Sequence, residues 1–241
     1  MSFAFVLAVG LVAGVISGII GTGSSIMLLP VLVYEFGPKE AVPIMAIASI
    51  MANLSRILAW WREVDWRAAG AYMVTGAPAA ALGARTLLAL PSHVVDAAIG
   101  IFLIGAIPLR RWFVARGFVL SFWHLAIIGA VVGYITGIVA STGPITIPIF
   151  MSFGLIKGAL LGTEAAGSLA LYTSKALTFQ RFDAMPPATV FKGLIAGSSL
   201  MAGAFIAKRF VMRLDAESFR ILMEGMMLVA GLSMLWTAFH H

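Results

Sequence analysis

GLVAGVISGIIGTGSSIMLLP, residues Gly10–Pro30, decides how the chain is read, because the pattern occurs twice. The second copy, GAVVGYITGIVASTGPITIP, spans Gly129–Pro148. At a constant offset of 119 (129 − 10), Gly10, Gly14 and Gly18 fall on Gly129, Gly133 and Gly137, and Ser17 falls on Thr136. Each copy is a glycine stripe on one helix face followed by a small polar patch. The patches are Gly21-Thr22-Gly23-Ser24-Ser25 and Ser141-Thr142-Gly143-Pro144. Around each patch the apolar run extends over roughly 35 residues, far too many for one helix across a ~30 Å hydrocarbon core. Each run therefore reads as two helical pieces joined at the patch, the second piece containing Pro30 in one copy and Pro144 and Pro148 in the other.

The rest of the chain fits this reading. Of its 241 residues 61% are hydrophobic and only 11% charged, with a mean hydropathy of +1.02. A soluble domain has about 25% charged residues, so too few polar side chains are available to cover a water-facing surface. The composition implies an all-α integral membrane protein. The first apolar run has no Lys or Arg before it and reads as a retained span, not a cleaved leader. With no Cys there is no disulfide or thiolate metal site, and two of the four His are the terminal His240-His241. No metal and no cofactor is expected, and no Walker A run, dinucleotide fingerprint or HExxH motif occurs. The net charge of +6 reads as Lys and Arg in cytoplasmic loops rather than a nucleic-acid surface.

Charged and turn-rich joints divide the chain into eight apolar segments in two halves of the same order. The first repeat, 1–110, holds the broken run 3–36 and spans 41–61, 68–90 and 94–109. Residues 111–117 form an Arg-rich linker, and the second repeat, 118–241, holds the broken run 118–153 and spans 158–179, 188–207 and 219–239. Internal repeats of this kind are a common build of secondary transporters.

Charge placement decides what the broken runs do. If each crosses the membrane once, the loop cations divide evenly and no orientation follows. If each is a hairpin that returns to its starting side, one side holds Lys39, Arg85 and Arg181. The other then holds Arg62, Arg67, Arg110, Arg111, Arg116, Lys157, Lys208, Arg209 and Arg213. This second division follows the positive-inside rule. It predicts a polytopic bundle of two inverted repeats, each with one broken hairpin plus three spans. The linker is then cytoplasmic and both termini are outside.

The glycine stripes read as packing faces, since small residues let helix backbones approach closely in lipid. The patches read as a site. Broken backbone at membrane depth must be buried in protein or line a cavity, and the helix following each break presents an N-terminus suited to an anion. The candidate substrate-binding residues are Gly21, Thr22, Gly23, Ser24 and Ser25 from the first patch and Ser141, Thr142 and Gly143 from the second. Arg56 and Lys175 lie at nearly the same point of the same segment in each half, with Asn53 and Ser174 beside them. Intramembrane cations are costly and usually functional, but two readings stand: they face the site, or they snorkel to the interface. Glu164 is the acid well inside segment six, a candidate for proton coupling or a partner for Lys175; Glu224 is a weaker case.

Two halves of four segments, each opening with a G-x-x-S/T-G stretch followed by a patch glycine, after four residues in the first copy (Gly23) and five in the second (Gly143), and then by Pro, resemble the TauE/SafE family of membrane permeases. The matching stretches are Gly14–Pro30 and Gly133–Pro148, and the joint Val64-Asp65-Trp66 also resembles the family pattern. The resemblance implies a bacterial inner-membrane exporter, not an enzyme, of small sulfur-containing anions such as sulfite or organosulfonates. It departs from the pattern in Ser24-Ser25, where many relatives carry Gly-Gly, and in Thr142-Gly143-Pro144. The expected partners are the anion and membrane lipid, with no nucleic acid; a homo-oligomer is left open. The competing readings are a permease for another anion or a metal cation, a non-transporting membrane scaffold, and an intramembrane enzyme, for which the Ser residues lack an evident base.

Overall fold

The computed structural model describes residues 3–20 and 24–207, together with individual residues between 221 and 238. Among the described residues the chain is all-helical. The helices are α1 Phe3–Ile20, α2 Ser24–Phe36, α3 Pro38–Trp60, α4 Trp66–Ala89, α5 Ser92–Arg116, α6 Phe122–Ile138, α7 Gly143–Ser152, α8 Lys157–Arg181 and α9 Pro187–Ala207. Lys39–Glu63, Ser92–Arg116 and Pro187–Ala207 are long and apolar enough to cross a membrane by length and composition. With 24 and 25 residues, α4 and α8 have similar length but more small and polar residues. Their surroundings explain much of this: α4 packs on α6 and α8, and α8 packs on α3 and α4, so protein meets the buried polar positions of α8, Thr163, Glu164, Ser168 and Lys175.

Both long apolar runs are split. In the second half the helix stops at Ile138 and resumes at Gly143. In the first it stops at Ile20 and resumes at Ser24; Gly21, Thr22 and Gly23 lie outside the described residues. The Arg-rich stretch is helical. α5 runs on through Arg116 and stops at Gly117, whose φ of 57° is left-handed. Arg is a good helix former, and the glycine, not the charge, supplies the stop.

Glycine contacts give the direction of each helix. A Cβ on Gly129 would strike the Tyr72 carbonyl, one on Gly133 that of Gly76, and one on Gly137 that of Ala80, so α6 runs parallel to α4. Likewise Gly10 faces Ser199, Gly14 faces Leu200, and Gly203 faces Gly14 and Val15, so α1 runs parallel to α9. α3 is also parallel to α9: Glu40 meets Thr189 and Lys192, and Met51 meets Gly197. α8 is parallel to α4: Gly167 meets Tyr72, and Ser174 bonds the Ala77 carbonyl. By contrast α3 and α8 run in opposite directions, with Trp60 against Gly158 and Arg56 against Glu164. So α1, α3 and α9 point one way, and α4, α6 and α8 the other.

Since α1 and α3 are parallel, α2 must carry the chain back between them; α7 does the same between α6 and α8. In the second half the closure of this hairpin is visible. The Leu120 N–H, just before α6, donates to the Ser152 carbonyl at the end of α7 at 2.9 Å, and the Phe122 and Phe153 rings stack edge to face at 5.0 Å. The glycine stripes are packing surfaces, as their spacing suggests. They bring backbones together where dispersion rather than the hydrophobic effect holds helices side by side.

Candidate functional site

The candidate site lies where α3 and α8 cross. On α3, Ser49, Asn53 and Arg56 are spaced by four and three residues; on α8, Glu164, Ser168, Tyr172 and Lys175 are spaced by four, four and three. These intervals put each set on one helix face. All seven residues are buried, Asn53 at 1% exposure, Arg56 at 7%, Glu164 at 2% and Lys175 at 0%. Neither cation snorkels.

The Arg56 guanidinium donates through Nη1 to Glu164 Oε2 at 3.0 Å and through Nη2 to the Asn53 side-chain carbonyl. The other carboxylate oxygen, Oε1, accepts from Ser168 at 2.7 Å and from Thr146 at 2.9 Å. Glu164 thus ties α3, α7 and α8 together. Its partner is Arg56, not the Lys175 considered from sequence. An ion pair this deep is tolerated because each carboxylate oxygen has donors; removing either member would leave an uncompensated buried charge.

Lys175 has a different environment. Its ammonium donates to the carbonyls of Thr136 and Val139, both at 2.7 Å. These belong to the last turn of α6, where carbonyls lack intrahelical partners and the helix dipole is negative. The Thr136 and Thr142 hydroxyls join at 2.6 Å across the same break. Lys175 therefore closes the tip of the second hairpin and brings one positive charge to it.

The N-terminus of α7 offers fewer free donors than the sequence suggests. The Gly143 N–H donates to Ser141 Oγ at 3.3 Å, Pro144 has no N–H, and Ile145 and Thr146 donate to the Thr142 carbonyl. The break supplies a cation and hydroxyls instead of a row of open amides. Tyr172 interacts with the side chains of Ser141 and Ser49, joining the hairpin tip to the stripe on α3.

Of the other sequence candidates, Ser24 and Ser25 are the first residues of α2, while Ser174 bonds the Ala77 carbonyl on α4 at 2.6 Å. Glu224 pairs with Arg111 at the end of α5, outside the stripe. The residues that sequence reasoning left out are Ser49, Thr146, Ser168 as a direct partner of Glu164, Tyr172 and Tyr72. The repeat offset would have found several: Ser49 + 119 is Ser168, Asn53 + 119 is Tyr172 and Arg56 + 119 is Lys175.

A bundle of helices with broken hairpins and a buried, charged stripe where its two central helices cross has the build of a membrane transporter. The sulfite exporter TauE/SafE family model matches residues 6–234, and the chain belongs to that family, whose members are transporters and not enzymes. It is 24% identical over 256 aligned positions to the probable membrane transporter protein YjnA of Bacillus subtilis (strain 168), covering 95% of this chain and 98% of that one. It is also 26% identical to the probable membrane transporter protein YunE of the same organism, over 43% of this chain and 42% of that one. No solved structure matches.

Proposed function

We propose that the protein is a secondary transporter, an exporter of small sulfur-containing anions such as sulfite or organosulfonates, working by alternating access around the α3–α8 crossing. The observation that carries this reading is the charge of the buried stripe. It holds two basic side chains, Arg56 and Lys175, against one acid, Glu164, all buried at the crossing of two central helices. A buried excess of basic over acidic groups suits a compact anion, which would supply the matching negative charge. The family and the relatives named as probable membrane transporters support transport; the sulfur anion comes from the family description.

The opposed directions of α3 and α8, which hold the same place in the two halves, support an inverted repeat. Two inverted halves rocking about a shared site give access first to one side and then to the other. Alternative cargos, another small anion or a metal cation, differ in what the stripe would have to offer: a cation would meet two buried positive charges against one carboxylate. The test is flux of labelled sulfite and sulfoacetate in proteoliposomes, comparing wild type with Arg56→Ala and Lys175→Ala. Flux in wild type and a loss of at least about tenfold in each variant is expected for removal of a charge-assisted contact. A wild type that moves neither anion under any imposed gradient would sink the proposal.

A further inference from the structure

Tyr72 on α4 is fully buried, and its hydroxyl has no hydrogen-bond partner. This is uncommon, because buried phenol hydroxyls nearly always find one. The ring is firmly held. It stacks edge to face on Phe150 of α7 with centroids 5.3 Å apart, and it lies against Gly167 of α8, where an added Cβ would come within 2.9 Å of Cδ1. Its position is therefore fixed by packing and not by the hydroxyl. Gly167, against which the ring lies, sits on α8 between Glu164 and Ser168, and Phe150 lies one turn beyond Thr146 on α7, so the ring packs on the two helices that supply Glu164 and its hydroxyl donors. Glu164 is already occupied by Arg56, Thr146 and Ser168. A rigid ring thus holds an unused donor against the site, from a third helix.

We propose that the Tyr72 hydroxyl is a substrate-positioning group that donates to an oxygen of the transported oxyanion. The inference rests on the anion-transport reading above and deepens it. An oxyanion next to Glu164 needs neutral donors as well as cations, since another full charge would be costly to bury. A phenol supplies one donor on a ring with little conformational freedom to lose. Without the anion the hydroxyl is a buried polar group with nothing to bond, which lowers stability. With the anion it is satisfied.

That change of sign gives the test. Tyr72→Phe keeps the ring and its contact with Phe150 and removes only the hydroxyl. The full-length protein is purified in detergent for thermal unfolding with and without sulfite or sulfoacetate, and reconstituted for flux. Tyr72→Phe is expected to unfold at the same or a higher temperature than wild type without anion. The anion should raise its Tm less than it raises that of wild type, and KM for flux should rise about tenfold with Vmax little changed. Gly167→Ala, which leaves the hydroxyl but displaces the ring, should raise KM as well. A Tyr72→Phe protein with wild-type KM and wild-type anion-induced Tm shift overturns the assignment. So does a fall in its anion-free Tm, since the hydroxyl would then be partnered in the resting protein. Wild-type vesicles with neither flux nor a Tm shift refute anion transport itself, and this inference with it.

Discussion

Arg56 and Lys175 occupy equivalent positions in the repeat, yet the structure accommodates them differently. Arg56 has a carboxylate, Glu164; Lys175 has two carbonyls at the end of a helix. The repeat explains why. Glu164 corresponds to Met45 in the first half (164 − 119), so the carboxylate has no counterpart there. The two cations should therefore respond differently to substitution. Glu164→Met takes the carboxylate away from the buried Arg56 guanidinium and should cost about 3–5 kcal/mol of stability, while the pair Arg56→Met with Glu164→Met should cost much less. Thermal unfolding of Glu164→Met, Arg56→Met and the double variant gives the coupling between them. If the double is as unstable as the sum of the singles, the ion pair contributes nothing beyond its separate parts. Lys175→Met leaves two buried carbonyls without a donor and should cost about 1–3 kcal/mol for each left unsatisfied. The expected signature is a lower Tm together with lost flux, whereas Tyr72→Phe separates the two effects.

At the scale of helices, the glycine stripes set how close the elements come. Gly133 sits over the backbone of Gly76, and Gly14 over that of Leu200, with no flexible side chain to yield. Gly133→Leu should therefore separate α4 from α6 and abolish the folded protein, read as loss of the monodisperse peak in size-exclusion chromatography. Gly70→Leu, at a position where a Cβ would meet nothing, should leave the peak intact. These stripes and the helix breaks were legible in the sequence, because spacing and small polar patches show directly in the residues. The cross-helix partners were not. Glu164 lies 108 residues from Arg56 and 18 from Thr146, and nothing local to either segment says which cation the acid meets. The N-terminus of α7 was misjudged for a related reason: whether its amides are free depends on where the Ser141 side chain turns, which spacing does not fix. The helical state of the Arg110–Arg116 stretch was not legible, because three arginines suggest a loop, although an arginine-bearing helix can continue until a glycine ends it.

For the whole molecule, helix directions decide which charges share a face. The C-terminal residues run antiparallel to α5: Glu224 pairs with Arg111, while Gly231 meets Ile104 and Leu235 meets Gly100. The end of α5 bearing Arg110, Arg111 and Arg116 therefore lies on the same face as Glu224, and Leu235 lies toward the opposite face. α1, parallel to α3, starts on that opposite face too. The face at the start of α3 carries Lys39 and Lys192, with Arg85 and Arg181 at the ends of α4 and α8. The other face carries Arg62, Arg67, Arg110, Arg111, Arg116 and Lys157 at the described helix ends, and we propose, from the positive-inside rule, that it is the cytoplasmic one. A reporter active only outside the cytoplasm should work when fused after His241, and one inserted after Gly117 should work only inside. Because short-loop Lys and Arg set orientation, replacing Arg110, Arg111 and Arg116 with Gln should weaken the bias and yield molecules of both orientations. Cytoplasmic activity of the wild-type His241 fusion would contradict the sidedness. It would leave the opposed directions of α3 and α8 in place, because those rest on residue contacts and not on the membrane.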